Sequence, residues 1–138
     1  AKIKTDPLRA DNNAIIASDG DLEIEVVPLD ELPSASGRHP ITLIKMDVEG
    51  YEPMVIEGAR STISTNRPII FGEFCRERLD INGFSMASTW RLLIDELRYR
   101  CYRLDSRDKR LHILDEPGAV ENIFFIPESA AVPDGLIS

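Results

Sequence analysis

Apolar residues fall along this chain in three patterns, and each predicts an element. Short continuous runs carry the most weight. Ile41, Leu43 and Ile44 form one, brief and partly β-branched, the mark of a strand buried on both faces. Ile69-Ile70-Phe71-Gly72-Glu73-Phe74 forms another. Between them Val55, Ile56, Ala59 and Ile63 share one face of a helix. Pro53 is tolerated only in a first turn, so this helix starts near residues 50–52, and Asn66 and Pro68 stop it. Strand, helix and strand in close succession predict a right-handed βαβ unit.

Helical spacing returns at Trp90, Leu93, Ile94, Leu97 and Cys101, predicting a helix over 85–97. Strict alternation marks Leu22, Ile24 and Val26 against Glu23 and Glu25, a strand with one wet face that Pro28 ends. Residues 99–104, 111–114 and 121–127 read as further strands, with a charged turn over 105–109. Residues 1–20 hold turn-like clusters around the apolar Ala14 to Ala17, a loose lead-in with room for one short strand. Residues 129–138 are a tail expected to fray. The fold class is therefore α/β, with one domain over 21–128.

Polarity flips where the Ile41 run ends. Asp47 and Glu49 stand two apart, so an extended backbone would aim both carboxylates the same way. Gly50 then permits a sharp turn into the helix. Glu52 and Glu73 add two more acids expected at the same carboxyl edge, where open α/β sheets bind ligands. Four converging carboxylates repel unless something positive sits among them. Lys45 is one source of that charge, and its plain reading is an ion pair with Asp47 or Glu49. Strand-tip acids also cap helices without further function. Taken alone, the motif supports both readings about equally.

Composition removes other classes. A net charge of −8 opposes a nucleic-acid surface, and no apolar run approaches the ~18 residues of a membrane span. Cys75 and Cys101 lack Cys-x-x-Cys spacing and read as reduced thiols of a cytoplasmic protein. His39 and His112 stand without metal-ligand spacing, and Arg60 and Arg67 read as solvated.

The block Lys45-Met46-Asp47-Val48-Glu49-Gly50-Tyr51-Glu52, with Val55-Ile56-Glu57-Gly58-Ala59 behind it, closely resembles the signature of FkbM-type methyltransferases. Leu29-Asp30-Glu31-Leu32 is similar to the segment preceding that signature, and the likeness runs from about Leu22 to Pro127. One position departs from the pattern: Arg98-Tyr99 stands where the family has Gly-Tyr. The resemblance implies a Rossmann-like methyltransferase sheet, mostly parallel with an antiparallel C-terminal strand. It also implies S-adenosylmethionine as cofactor and a sugar or polyketide-like hydroxyl as methyl acceptor. Asp47 and Glu49 would be catalytic, and Lys45, Tyr51, Glu52 and Glu73 would meet substrate. Asp47 and Gly50 would meet the cofactor, with no metal.

None of the eight glycines forms a Gly-rich cofactor turn, so the chain reads as the C-terminal portion of the domain, its cofactor-binding half missing. On that reading the Ile41 strand is an edge, open to a homodimer partner or to the missing half. Two other readings stand beside this one. Asp47, Glu49 and Glu73 would hold a hard divalent cation, or the domain is a catalytically silent binding module.

Overall fold

The computed structural model describes residues 2–4, 14–16, 22–32, 39–115, 118, 120–133 and 135–138. Three short strands come first: β1 (Lys2–Lys4) pairs antiparallel with β2 (Ala14–Ile16) on one side and with β3 (Leu22–Glu23) on the other. The longer alternating strand expected through Val26 stops at Glu23, and Val26 and Val27 are both exposed. Alternation alone supplies no partner strand to complete a ladder. A 3-10 turn at Leu29–Glu31 follows.

The main sheet has five strands in the order β4-β5-β8-β6-β7. These are β4 (Leu43–Met46), β5 (Ile69–Cys75), β6 (Tyr99–Leu104), β7 (Leu111–Ile113) and β8 (Val120–Pro127). Only β4 and β5 pair in parallel, with Lys45 opposite Phe71 and Met46 opposite Gly72. Every other ladder is antiparallel, so the expected mostly parallel sheet is corrected to a mixed, mostly antiparallel one. The cause is the return of β8. It inserts between β5 and β6, which run the same way but never touch, and so converts one parallel ladder into two antiparallel ones. Among the described strands of this sheet, parallel pairing is confined to the β4–helix–β5 crossover.

Four helical segments pack on one face: α1 (Glu52–Gly58), α2 (Arg60–Asn66), α3 (Arg76–Ile81) and α4 (Met86–Arg91), the last continuing as a π-helical turn over Leu92–Glu96. Ser85 caps α4, its hydroxyl accepting from the Ser88 amide. Ile56, Ala59, Ile63, Leu79, Leu93 and Leu97 meet Ile70, Phe74, Tyr99, Ile123 and Phe125 of the sheet to form the core. A smaller cluster of Tyr102, Leu111 and Ile126 lies apart from it.

The expectation that the Ile41 run is buried on both faces fails. Only Met46 of β4 is buried, and Leu43 is 58% exposed, because β4 is the outer strand of the sheet. The tail is not loose either: the Leu111 amide donates to the Leu136 carbonyl, and the Ser138 amide to the Leu111 carbonyl.

Arg98 takes the left-handed conformation (φ 58°) that the missing glycine would adopt freely. That costs on the order of 1 kcal/mol. Arg67 offsets it, since its guanidinium donates to the carbonyls of Leu97 and Arg98 and lies 4.6 Å from the centre of the Tyr99 ring. Arg67 thus clamps the end of α2 to the entry of β6 and is not simply solvated. Burial pushes the Tyr99 hydroxyl up to about 12, and that hydroxyl donates to the Pro68 carbonyl at 2.9 Å.

Candidate functional site

Extended backbone ends at Met46, and this decides the geometry of the acids that follow. Glu49 adopts φ 53° and Gly50 φ 93°, so the chain reverses hand over two residues before α1 begins. The strand geometry expected to aim Asp47 and Glu49 alike therefore does not reach Glu49. Each acid has its own cation. Asp47 is exposed and lies 4.0 Å from Lys45, a contact at the outer limit of an ion pair and worth little in water. Glu49 is half-buried and lies 3.6 Å from the guanidinium of Arg78 in α3. Its carbonyl accepts from the Asn82 side chain at 3.1 Å.

Glu52 turns away from this edge. It is 1% exposed, and its Oε1 accepts from the Gly50 amide at 3.2 Å, so the acid expected to meet substrate instead braces the turn beneath it. Its other oxygen, Oε2, is buried with no hydrogen-bond partner. Desolvation holds the Glu52 carboxyl above the ordinary glutamate range against the pull of nearby backbone amides, and the Glu49 charge adds to the rise.

Gly50 is buried, and its amide is taken by Glu52. A Cβ there would lie 2.6 Å from the backbone of Arg78. The Cβ direction and the amide of Gly50 are thus both taken up by the protein. Tyr51 stands at the head of α1 with its ring edge-on to Phe84, at 6.1 Å between centres. Glu73 is exposed in β5, opposite Asn122 of β8. The four carboxylates do not converge: Asp47 and Glu49 remain at the tip, Glu52 goes inside and Glu73 stays on the strand.

Asp47, Glu49 and Glu73 do not form a ligand group. Among the described residues, three such atoms within 4.8 Å of one another are found at Asp105, Asp108 and His112 instead. His112 is thus not isolated, and its Nε2 lies 2.9 Å from Asp108. The amide of Arg110 and the His112 ring together lower the Asp108 pKa. The same hairpin carries Arg107, Lys109 and Arg110, whose charge opposes a bound cation.

Two contributors escaped the sequence reading. Asp30 accepts from the amides of Ser61 and Thr62, both at 2.8 Å, and so caps α2 from thirty-odd residues away. Desolvation works to raise its carboxyl, but the Thr62 side chain and these two amides outweigh it, and the pKa is lowered. The helix predicted as one piece breaks at Ala59 so that α2 can offer these amides. Arg78 is the other. It both pairs with Glu49 and walls in Gly50. The available signal was a basic residue just past β5, at the edge that parallel pairing brings beside the tip of β4.

A family model described as the Methyltransferase FkbM domain matches residues 5–101. No curated protein and no solved structure matches the chain.

Proposed function

The chain belongs to the FkbM methyltransferase family, and on that premise we propose that it moves a methyl group from S-adenosylmethionine to a hydroxyl of a small sugar or polyketide-like acceptor. The observation that supports this reading is the pair of acids beyond β4: Asp47, open and weakly engaged, beside Glu49, tethered by Arg78. Asp47 suits a cationic ligand, because among the described residues its ion-pair partner is an exposed lysine at 4.0 Å. With the Gly50 amide engaged by Glu52, Asp47 carries the cofactor contact in this reading. The cofactor, when bound, supplies an electrophilic methyl on a sulfonium.

The residues then have separate work. Asp47 accepts the proton of the acceptor hydroxyl as its oxygen becomes nucleophilic, a role general bases fill at about 10²- to 10⁴-fold in rate. Glu49, fixed by Arg78 and Asn82, orients that hydroxyl. Lys45 is the counter-charge beside Asp47 while the site is empty. No described helix is long and apolar enough to cross a membrane.

Asp47→Asn and Glu49→Gln are each expected to cut methyl transfer by about 10²-fold or more with the circular dichroism spectrum unchanged. Turnover within a few fold of wild type in both variants would remove the catalytic assignment. The outer edge of β4 has a further consequence: its unpaired backbone groups are a template for pairing. We propose that the chain self-associates there, visible as a molar mass that rises with concentration in light scattering. A constant monomer mass would mean the edge is already covered.

A further inference from the structure

Four of the large apolar side chains this protein leaves exposed gather in one place. Val26, Val27 and Leu32, which precede β4, and Met54 of α1 surround a concavity of about 520 Å³. Its lining is overwhelmingly apolar. The rest of the lining includes Val48 and Tyr51, the immediate neighbours of Asp47, Glu49 and Gly50 in the signature. Val48 stands between Asp47 and Glu49 in the chain, so the lining adjoins the proposed site along the backbone.

The dimensions and chemistry select the occupant. Small-ligand sites run from roughly 300 to 1,000 Å³ and are mostly apolar with a few polar groups that fix orientation. Tyr51 brings a polar-tipped residue into the lining, and Asp47 and Glu49 flank the lining residue Val48 in the chain. A sugar ring, hydroxylated on both faces, would lose water to this lining and find few partners in return. An anionic amphiphile is opposed by Glu25, Asp30 and Glu31 in and next to the lining segment, and by the net charge of −8. We propose that this concavity binds the hydrocarbon body of a neutral alcohol and presents its hydroxyl at Asp47. This deepens, and rests on, the methyl-transfer reading, and it chooses an apolar-bodied acceptor over a sugar.

The test uses binding alone, so it stands apart from turnover. N-phenyl-1-naphthylamine, a neutral fluorescent probe, is titrated into the chain without cofactor. It is then challenged with 1-decanol, decanoate and methyl glucoside. The expected result is saturable binding, displaced by decanol and not by the other two. Val26→Glu and Met54→Glu should each weaken the probe at least tenfold. Those side chains are 54% and 51% exposed, so the fold has little to lose, and an unchanged thermal transition verifies it. Ile81→Glu, at a residue 71% exposed outside the concavity, should leave affinity unchanged. Equal weakening by Ile81→Glu, no effect of the two groove variants, or displacement by methyl glucoside or decanoate would overturn the proposal. So would probe affinity that falls as the protein associates, which would make the groove an interface between copies. Methyl transfer near the wild-type rate in the Asp47 and Glu49 variants, with probe binding intact, would count against the catalytic assignment and not against the pocket.

Discussion

Replacing Gly50 with alanine should destabilise the protein by about 3 kcal/mol, within a range of about 2–5. Two terms add. The φ of 93° lies where a side chain collides with its own backbone, at about 1–2 kcal/mol. The new Cβ would also stand 2.6 Å from the carbonyl carbon and oxygen of Arg78 and 2.8 Å from its Cβ. Relieving that contact means moving α3 against the core, and forced overpacking costs about 1–3 kcal/mol more. A domain of this size has only about 5–15 kcal/mol in total. Urea unfolding reads the loss directly. A change below about 1 kcal/mol would mean that α3 yields easily and that Gly50 is not the fixed point of the turn. The same displacement would carry Arg78 away from Glu49, so the variant should also lose activity by more than its stability predicts.

That contact also shows what the amino-acid pattern could and could not reveal. The signature block, the strand and helix positions and the acidic tip were readable, because period, turn residues and motif spacing are local properties. Sheet order is not local. Nothing in Val120–Pro127 says that it will insert between β5 and β6, and that one insertion made the sheet mostly antiparallel. The Ile41 run was read as doubly buried because it is apolar, yet an outer position leaves Leu43 in water. At the tip, four acids have the same charge in the sequence, and backbone hand separates them. Glu49 enters the left-handed region, Gly50 follows, and Glu52 at the start of α1 is then placed to reach back to the Gly50 amide. The partners that tether the site, Asp30 to α2 and Arg78 to Glu49, lie about thirty residues from what they hold, beyond the reach of any helical or strand period.

Glu52 should give the second large effect, and its sign depends on what replaces it. Glu52→Ala leaves the buried Gly50 amide without an acceptor, at about 1–3 kcal/mol. The lost side-chain volume adds a cavity, so a total of about 2–4 kcal/mol is expected. Glu52→Gln keeps a carbonyl oxygen for that amide and removes the ionisable group, so it should stay within about 1 kcal/mol of wild type at neutral pH. The pH dependence separates a buried acid from a merely bulky one. Burial raises the native carboxyl above its unfolded value, so the native state holds its proton more tightly. The resulting stabilisation is complete below the ordinary glutamate pKa and is lost as pH climbs through the raised one. The lowered carboxyls of Asp30 and Asp108 act with the opposite sign, but they are common to both proteins and cancel in the difference. Unfolding wild type and Glu52→Gln in urea across that window should therefore show the wild-type advantage shrinking as pH rises. A difference that stays flat would mean the Glu52 carboxyl ionises as it does in water, and that its unpartnered oxygen is solvated after all. The Gly50 amide offers an independent reading: its nuclear magnetic resonance shift should titrate over the same window in wild type and stay still in Glu52→Gln.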